Sequence, residues 1–592
     1  MTTNEKIQNL RRTMKENGVF ACLIPSADPH MSEYLPDHYK TRAYFSGFDG
    51  SAGTLVVTQE AAGLWTDGRY FIQAERQLEN SEVALFRMGV EGVPTVMQFL
   101  AQELGSRRLL GTDGMVTATG TVRELQSLGI AVKSVDCTSE NWKGRPAAPS
   151  SEVYVHEVEY TGLTASQKLA LLREKLAAAG TDTMVVTRLD SIAWLLNLRG
   201  SDIEYNPFFL SYVLVQPQQT TLFVNTSRLN KRAKEYLAEN GVSLREYDEV
   251  LPCLQAISEP GKVLADPGSV NYAIWQALEE NPALTIIEGE EPVQGMKAVK
   301  NETEIANLHN AHVRDGVAMV RFQRELERRM TQSIVTTECD IEEILRELRA
   351  EQALNVGESF STIAGYGVNG AIVHYHALPE SCATLKPKGL ILVDSGAQYL
   401  DGTTDITRTF ALGELTEEEK KYYTAVLKTH ISVARTVFLA GTTGATLDMM
   451  ARHIMWDKGL DYRHGTGHGV GYFGGVHEGP HNLRTTSQVP FQAGMLITDE
   501  PGYYEEGKVG IRIENELLVT KLFDNEYGTF LGFEVLTYCP IDVTPVLVDE
   551  LSDEEIDWLN EYHQMVYEKL EGSLQQEERA WLKEKTAPLT RS

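Results

Sequence analysis

Apolar and polar positions along the chain repeat one arrangement in its first two blocks. Each block opens with an amphipathic helix, over residues 4–18 and 166–179, and continues with a short apolar strand, over residues 20–24 and 183–187. In both blocks a pair of strands and a further helix follow. The repeat predicts two related α/β domains, and a duplicated domain without catalytic residues favours a structural or gating role.

Two changes in the pattern set the expected domain boundaries. Residues 136–149 have little periodicity and are rich in Pro, Ala and Ser, which is typical of a linker and places the first boundary near residue 150. Residues 303–328 are strongly helical, and we begin the third domain there. We therefore expect an α/β (α+β) chain with three domains, at 1–150, 151–302 and 303–592.

The third domain carries four acids at or inside apolar strands, together with a histidine between glycines. Asp394 and Glu500 end the strands LILVD and LITDE, Asp405 precedes another strand, and Glu514 lies within GIRIEN. One acid at a strand end is well explained by solvation, but four such acids together with His468 are not. We interpret the five residues as one metal site, whose oxygen-rich donors favour manganese-like ions over a thiolate-bound zinc.

Simple strand pairing tests whether these acids can meet. A hairpin turn centred on Gly507 sets the last two acids opposite each other. A turn at the Asp-Gly pair 401–402 pairs Asp394 with Thr409, which leaves Asp405 four residues away on the same face. In that register Asp394 and Asp405 are too far apart to share an ion, so the strands must bend or slip.

The motifs around these residues resemble those of the pita-bread metallopeptidases, which include aminopeptidase P, prolidase, methionine aminopeptidase and creatinase. The motifs are VDSGAQY, DGTTDITRTF, HGTGHGVG, VHEGP, TDEPGYY and GIRIENELLV. Segments 46–54, 65–71, 192–202 and 557–563 extend the resemblance to the long, three-domain, cytosolic-type Xaa-Pro aminopeptidases. The likeness covers nearly the whole chain. It implies two creatinase-type N-terminal α/β domains, then a pita-bread catalytic domain with a C-terminal extension.

The resemblance also implies how the site holds two divalent ions, most simply Mn²⁺, with Zn²⁺ or Co²⁺ as alternatives. Asp394, Asp405 and Glu514 would hold one ion, and Asp405, Glu514, Glu500 and His468 the other, so that Asp405 and Glu514 bridge. Two ions about 3.5–4 Å apart activate a bridging water and polarise a carbonyl, which suits hydrolysis of a peptide bond. Glu500 is then the candidate that moves the proton of the water.

Three histidines match family positions around the ions, and two further residues are candidates from their positions in the chain. His374, His464 and His477 are expected to donate to the scissile carbonyl or the tetrahedral intermediate, or to orient the leaving nitrogen. For His464, simple packing against the glycine loop is the alternative. Arg512 lies two residues before a ligand on the same strand face, where it can orient a carboxylate or reach the substrate. Tyr504 is expected to line the same wall.

The implied activity is removal of the residue that precedes proline, so the expected partners are peptides with proline at the second position. The spacing of the motifs does not report this preference, which follows from the resemblance alone. A prolidase, which cleaves only Xaa-Pro dipeptides, is the alternative, although prolidases are usually shorter and have two domains. A non-catalytic binding member of the fold is a further alternative, but such proteins lose the ligands that are present here.

Composition bears on compartment and partners. The 592-residue chain has a formal net charge of −29, which disfavours nucleic-acid binding because phosphate contacts dominate that affinity. Its first residues lack the apolar core of a signal peptide, and no stretch approaches the length of a membrane span. Six scattered cysteines form no CxxC motif and are typical of reduced thiols. We expect a cytoplasmic protein with neither nucleic-acid nor membrane partners.

Four other residues need a separate interpretation. Trp456, on a helix before the glycine loop, is a candidate interface anchor, and we expect a homodimer. His309 and His312 lie three apart on a helix, and we interpret them as helix surface without a metal. His376 stands where related long enzymes usually have Ala after the tyrosine, which leaves the local substrate contacts open.

Overall fold

The computed structural model describes residues 1–104 and 109–591, which fall into two compact units. One unit contains residues 1–158 and 163–293, and the other contains residues 159–162 and the chain from residue 294 onward. Within the described residues, no helix is both long and apolar enough to cross a membrane.

The first sheet of the N-terminal unit has the strand order β4-β3-β2-β1-β5-β6. Its strands are β1 (Ala21–Pro25), β2 (Thr54–Thr58), β3 (Ala62–Thr66), β4 (Val83–Arg87), β5 (Leu109–Thr112) and β6 (Ala131–Ser134). The helices around it are α1 (Thr3–Glu16), α2 (Thr41–Ser46), α3 (Phe71–Gln77), α4 (Val96–Leu104) and α5 (Thr119–Ser127). The core of this sheet is formed by residues such as Phe45, Leu55 and Leu64, which have no exposed surface.

The second sheet of the same unit has the strand order β12-β11-β10-β8-β13-β14. The strands of this part are β7 (Tyr154–Val155), β8 (Thr183–Val186), β9 (Leu198–Arg199), β10 (Tyr212–Val215), β11 (Thr220–Phe223), β12 (Val242–Arg245), β13 (Gly261–Ala265) and β14 (Leu284–Glu288). Its helices are α7 (Ala165–Ala178), α8 (Leu189–Leu196), α9 (Lys231–Glu239), α10 (Val250–Gln255) and α11 (Tyr272–Glu279). The short helix α6 (Val158–Thr161) precedes them, and its last three residues belong to the other unit.

The two sheets have the same topology, so the predicted duplication is confirmed. In each strand order, the second and third pairs of neighbouring strands are antiparallel, and the first, fourth and fifth pairs are parallel. The leading helices also begin in the same way. Thr2 with Glu5 and Thr164 with Gln167 form capping boxes, which satisfy the first free amide groups of α1 and α7.

The C-terminal unit surrounds short sheets with long helices. The helices are α12 (Pro292–Ala298), α13 (Glu302–Thr331), α14 (Glu338–Ala350), α15 (Glu417–Ala434), α16 (Gly444–Trp456), α17 (Asp553–Leu570) and α18 (Gln576–Lys585). Helix α13 confirms the helix predicted over 303–328. It begins at a capping box between Asn301 and Glu304, and its apolar side, including Met319 and Phe322, is completely buried.

Fourteen strands of the C-terminal unit form one six-stranded sheet, two three-stranded sheets and a hairpin. The strands are β15 (Asn355–Glu358), β16 (Ile363–Tyr366), β17 (Leu390–Ser395), β18 (Ala397–Tyr399), β19 (Gly402–Thr403), β20 (Ile406–Ala411), β21 (Phe438–Leu439), β22 (Gly467–Gly469), β23 (Glu478–Leu483), β24 (Leu496–Asp499), β25 (Gly502–Glu505), β26 (Val509–Arg512), β27 (Asn515–Asn525) and β28 (Gly528–Val535). The sheets are β21-β28-β27-β24-β22-β23, β16-β17-β20, β15-β18-β19 and β25-β26.

One of the two predicted hairpin registers is confirmed and the other is wrong. Hairpin β25/β26 pairs Gly502 with Arg512 and so is centred on Gly507, as expected. Strand β17, however, pairs Asp394 with Thr407 rather than with Thr409. The physical reason is the turn, which consists of Leu400 and Asp401 because Tyr399 already pairs with Gly402. The shift places Asp405 two residues, rather than four, from the partner of Asp394.

Trp456 ends α16 at the surface, with 46% of the side chain exposed. Met449 and Met450 on the same helix are 42% and 43% exposed. Trp456 therefore contributes to the surface of α16 rather than to the core. The homodimer remains a prediction.

Gly510 allows β26 to lie directly against the 3₁₀ helix Gly367–Ala371. A Cβ atom added at Gly510 would lie 1.7 Å from the carbonyl oxygen of Gly370. That oxygen belongs to the backbone and has no rotamer by which to move away. The contact therefore requires a residue without a side chain.

We predict that Gly510→Ala lowers the unfolding free energy by roughly 3 kcal/mol, the upper range for overpacking a core. Thermal unfolding monitored by circular dichroism measures the change. Gly295→Ala in α12 is the control, because no heavy atom lies within 4 Å of its added Cβ. Equal melting temperatures for the two variants would contradict the close approach of β26 to the 3₁₀ helix.

Candidate metal centre

The structure brings the five predicted ligand residues into one buried cluster. Ligand atoms of Asp405, His468 and Glu514 lie within 4.8 Å of one another. His468 Nε2 is 3.4 Å from Asp405 Oδ2 and 3.5 Å from Glu500 Oε1. The carboxylate of Asp394 is close enough to oppose the ionisation of both Asp405 and Glu514. The five residues therefore form one electrostatic unit.

Most of these residues lie where strand pairing ends or is interrupted. The positions are Asp394 near the end of β17, Asp405 between β19 and β20, His468 in β22, Glu500 just after β24 and Glu514 between β26 and β27. Ladder β24/β27 pairs Asp499 with Asn515, and hairpin β25/β26 continues the same register. Glu500 and Glu514 consequently face each other in the gap between two ladders.

Burial of these carboxyl groups creates an electrostatic problem. It raises the pKa of Asp405 to about 7, and it raises the pKa of Glu514 well above its usual range. Burial also raises the pKa of Asp394, against the opposite influence of Arg512. Buried like charges repel strongly and lack the solvation that water supplies. Four ionised carboxylates in this space therefore require positive charge beyond that of the neighbouring side chains.

The orientation of His468 suits a metal ligand. Its Nδ1 donates to the carbonyl oxygen of Gly469 at 2.9 Å, which leaves Nε2 facing the two carboxylates. Burial lowers the pKa of His468, but its hydrogen bond to Asp405 and the charge of Glu500 outweigh burial and raise it to about 9. A hydrogen bond at one ring nitrogen is the usual way to fix the tautomer of a metal-ligating histidine.

The carboxylate of Asp394 supplies a second test of fit to a cation. Its Oδ2 accepts a hydrogen bond from Arg512 Nη2 at 2.6 Å. Its Oδ1 is buried and has no hydrogen-bond partner among the residues that the structure describes. A buried oxygen that lacks a donor is costly unless a cation satisfies it. The donor set of carboxylate oxygens and one imidazole thus fits hard or borderline divalent ions.

A chain of hydrogen bonds connects Asp394 to His464 along one wall of the site. Arg512 bonds to Asp394 and, through Nη1, donates to the Tyr504 hydroxyl at 2.6 Å. His464 Nδ1 donates to the carbonyl oxygen of Gly465, so its Nε2 accepts from Tyr504 at 2.8 Å. Burial lowers the pKa of His464 to about 4, which keeps the ring neutral. His464 Nδ1 also lies 3.9 Å from Glu500 Oε2.

The other two predicted catalytic histidines lie in different surroundings. The His477 ring centroid is 4.3 Å from that of His468, and the two rings are nearly perpendicular. His374 is half-buried in a turn just after the 3₁₀ helix Gly367–Ala371, which lies against β26. His376, two residues further on, is exposed. Roles in catalysis for His374, His464 and His477 stay predictions.

Thr407 is a site residue that the sequence reasoning missed. Its hydroxyl donates to Glu514 Oε2 at 2.7 Å and accepts from Arg512 Nε at 3.1 Å. The Thr407 side chain therefore orients Glu514, a predicted ligand, and also Arg512, which bonds to the predicted ligand Asp394. The signal was available, because alternation along β20 sets Thr407 on the same face as Asp405.

A buried network behind the acids was also missed. Arg408, which has no exposed surface, donates to the Glu514 carbonyl oxygen at 2.6 Å and to Asn515 Oδ1 at 2.8 Å. His430 lies 3.0 Å from Asp499 Oδ2 and accepts from Asn515 Nδ2 at 3.1 Å. The residue before Glu500 and the residue after Glu514 are therefore tied together through His430. An arginine inside the apolar strand ITRTF was the signal for this network.

The interpretation of His312 as helix surface is wrong. The side chain is 3% exposed, and Nε2 lies 3.4 Å from Glu516 Oε2. His309 is half-buried, and its Nε2 is 3.6 Å from Glu534 Oε1. These carboxylates lie more than 200 residues further along the chain, so the sequence pattern around the helix did not reveal them. In the described part of the chain, these residues form no group of three potential metal ligands.

Comparison with protein-family models matches almost the whole chain. The creatinase/prolidase N-terminal domain matches residues 6–146, and a second model of that domain matches residues 144–304. Metallopeptidase family M24 matches residues 306–521, and the C-terminal region of peptidase M24 matches residues 529–589. The M24 match spans all five predicted ligand residues.

Full-length relatives decide the family. Aminopeptidase P2 of Arabidopsis thaliana is 41% identical, over 100% of this chain and 89% of the relative. A probable Xaa-Pro aminopeptidase P of Laccaria bicolor is also 41% identical, over 100% of this chain and 94% of the relative. The chain belongs to the aminopeptidase P family of M24 metallopeptidases. The predicted family and its hydrolase class are thereby confirmed.

Solved structures agree with this membership in the aminopeptidase P family. The X-prolyl aminopeptidase of Caenorhabditis elegans, described as a cytosolic enzyme with a di-nuclear active site, superposes with a TM-score of 0.94. It is 36% identical, and the match covers 100% of both chains. The prolidase of Pyrococcus horikoshii has a TM-score of 0.50 at 22% identity over 64% of this chain, which shows a shared fold alone. The predicted fold class is confirmed.

We predict that Thr407→Val lowers the unfolding free energy of the chelator-treated protein by about 1–3 kcal/mol. Valine has nearly the same shape, but it leaves Glu514 Oε2 and Arg512 Nε without the hydroxyl, and an unsatisfied buried group costs about that much. Urea unfolding measures the change. Thr407→Ser, which keeps the hydroxyl, is the matched control and should stay near the wild type. A Val variant as stable as the Ser variant would rule out a supporting role for this hydroxyl.

Proposed function

We propose that the protein is a metal-dependent aminopeptidase that hydrolyses the bond between an N-terminal residue and a following proline. The observation that carries the proposal is the cluster of Asp405, His468 and Glu514 in a chain matched along its full length by aminopeptidase P relatives. The structural relative that covers the whole chain is an X-prolyl aminopeptidase with a di-nuclear active site. The substrates are therefore peptides with proline at the second position.

The five residues would provide the ligands for two divalent ions in this proposal. Asp394, Asp405 and Glu514 would hold one ion. Glu500 and His468 would hold the other, together with Asp405 and Glu514, which would be shared. The oxygen-rich donor set supports Mn²⁺, with Zn²⁺ or Co²⁺ as alternatives. Such ions, when bound, supply Lewis acidity at the scissile carbonyl and make water a stronger nucleophile at neutral pH.

Glu500 is the proton carrier in this proposal. Its Oε1 lies 3.5 Å from His468 and its Oε2 lies 3.9 Å from His464, so the carboxylate reaches into the centre of the site. The contacts with these histidines and with Arg512 lower its pKa although burial alone would raise it, so the group starts as a base. It takes the proton of the attacking water and delivers it to the nitrogen of the departing proline.

His374 and His477 contact the substrate in this proposal. His477 lies beside the ligand His468, where an imidazole can donate to the carbonyl oxygen as negative charge develops. His374 acts from the turn on the β26 side. His464 takes part through Tyr504, since its Nε2 already accepts from that hydroxyl.

Arg512 and Tyr504 orient the ligands and line the substrate wall. Arg512 is buried and shares its donors between Asp394, Thr407 and Tyr504. A proline amide has no N–H, so the site needs a shaped slot rather than an acceptor at that position.

The proposal also covers the domain boundaries, the oligomeric state and the cellular location of the protein. We propose domains at 1–150, 151–302 and 303–592, with the ligands confined to the third. The exposed side of α16, which includes Met449, Met450 and Trp456, supports a homodimer contact. A cytoplasmic location is supported by six free cysteines and by the cytosolic relative. Neither nucleic acid nor membrane is proposed as a partner.

We predict that the chelator-treated protein releases arginine from Arg-Pro-Pro-Gly-Phe only after Mn²⁺ is added. The matched peptide Arg-Ala-Pro-Gly-Phe should remain intact, because it lacks proline at the second position. Chromatography of the released amino acid measures both reactions. Cleavage of the dipeptide Gly-Pro but not of the longer peptide would move the assignment to prolidase. Manganese-dependent cleavage of the alanine peptide at the same rate would defeat the proline preference.

We predict that Glu514→Gln removes both metal ions and lowers kcat/KM by more than about 100-fold. Loss of an outer hydrogen-bond partner alone typically costs 10–100-fold, and Glu514 bridges both ions in the proposal. Elemental analysis after desalting counts the ions. Glu516→Gln is the matched control, since Glu516 lies two residues further on, in β27, and is equally buried but contacts His312. Two ions retained in the Glu514 variant would refute the bridging assignment.

A further inference from the structure

Helix α14 anchors the segment that follows His374 through one buried carboxylate. Glu338, the first residue of the helix, has no exposed surface. Its oxygens accept from Tyr366 N at 2.7 Å, Asn369 Nδ2 at 3.0 Å, Tyr375 OH at 2.8 Å and Ala383 N at 2.7 Å. Tyr375 and Ala383 share the same oxygen, Oε2. A displacement at Ala383 is therefore felt at Tyr375, the residue next to His374.

Backbone pairing at the same place brings two cysteines together. Thr337 and Thr384 form an antiparallel bridge, and Glu338 N donates to the Ala383 carbonyl oxygen at 3.1 Å. The next pair in this register is Cys339 and Cys382. Directly opposed residues have Cα atoms about 4.5–5.5 Å apart, within the range that a disulfide spans. Although the helix begins here, the two thiols are close enough for Cys382 to raise the pKa of Cys339.

We propose that Cys339 and Cys382 form a redox-active dithiol, which an oxidant of the disulfide class closes to a disulfide and thereby slows the enzyme. The effect on rate rests on the proposed function, in which His374 contacts the substrate. The disulfide itself does not rest on it.

Accessibility distinguishes this dithiol from a second pair of contacting thiols. Cys137 likewise raises the pKa of the neighbouring Cys22, but these two residues are only 1% and 2% exposed. Cys339 and Cys382 are both partly exposed. A soluble oxidant can therefore reach Cys339 and Cys382 but not Cys22 and Cys137.

Thiol–disulfide exchange accounts for every atom of the step. Burial and the contact with Cys382 raise the pKa of Cys339 to about 12, so its thiolate is scarce at neutral pH. Cys382 therefore attacks first: its sulfur bonds to one sulfur of oxidised glutathione, and a glutathione thiolate leaves. The Cys339 sulfur then attacks the Cys382 sulfur of this mixed disulfide and expels the second glutathione as a thiolate. Two protein thiols are oxidised, one glutathione disulfide becomes two thiols, and the two protein protons pass to them.

Closure shortens the contact between the two sulfurs to a bond of about 2.05 Å, which is far below the separation of two thiols in contact. The bond ties Cys382, and with it the adjacent Ala383, covalently to α14. Because Ala383 and Tyr375 share Glu338 Oε2, any adjustment of Ala383 on closure is passed to the turn that carries His374. Displacements of about 1 Å at a catalytic site can cost as much as two orders of magnitude in rate.

The test treats the full-length, Mn²⁺-loaded protein with oxidised glutathione and compares it with protein kept in dithiothreitol. Peptide mapping by mass spectrometry identifies a link between Cys339 and Cys382, and hydrolysis of Arg-Pro-Pro-Gly-Phe measures kcat. We expect the link to form, kcat to fall roughly tenfold, within the cost of small misplacements at a site, and dithiothreitol to restore it. Cys339→Ser and Cys382→Ser should each remain active and insensitive to the oxidant. The control Cys22→Ser/Cys137→Ser should lose activity on oxidation as the wild type does.

Each contrary outcome points to a different part of the proposal. Oxidation that leaves both thiols free, or that stops at a mixed disulfide on Cys382, would overturn the dithiol. A complete link with unchanged kcat would overturn its effect on the enzyme. A reduced protein that cleaves no peptide would defeat the proposed function instead, while the peptide map would still decide whether the disulfide forms.

Discussion

Repulsion among four neighbouring carboxylates, three of them buried, is the constraint on which the C-terminal unit depends. Asp394, Asp405 and Glu514 all have raised pKa values because burial removes water and because each opposes the ionisation of its neighbours. Arg512 and His468 supply partial compensation from the protein. The positive charge that these side chains do not supply is the physical reason to expect divalent ions at this site.

The surrounding structure holds these groups in place from behind. Arg408 binds the backbone of Glu514, and His430 connects the residues next to Glu500 and Glu514. Thr407 fixes the Glu514 side chain from the adjacent strand. All of these contacts are made by buried groups, where a missing partner is costly. Side chains behind the site thus bond to the residues that carry the ligands, which is the kind of support that precise ligand geometry requires.

Sequence reasoning succeeded where a local turn determines the geometry. Gly507 fixed the register that sets Glu500 opposite Glu514, because the two strands are joined directly. It failed for Asp394, since the true turn lies one residue earlier and no local signal distinguished the two registers. The contact of His312 with Glu516 was missed for another reason. Partners separated by two hundred residues meet only through the tertiary fold, which periodicity does not encode.

The shared register of ladders β24/β27 and β25/β26 limits which changes in length this enzyme can accept. Glu500 and Glu514 occupy an interruption in what is otherwise one continuous two-stranded ribbon. Inserting or deleting one residue in either arm would turn one acid to the opposite face, since side chains alternate along a strand. Only the tip between Glu505 and Val509 lies outside both arms. Variation in length among descendants of this sequence should accumulate at that tip, while the arms keep a fixed count.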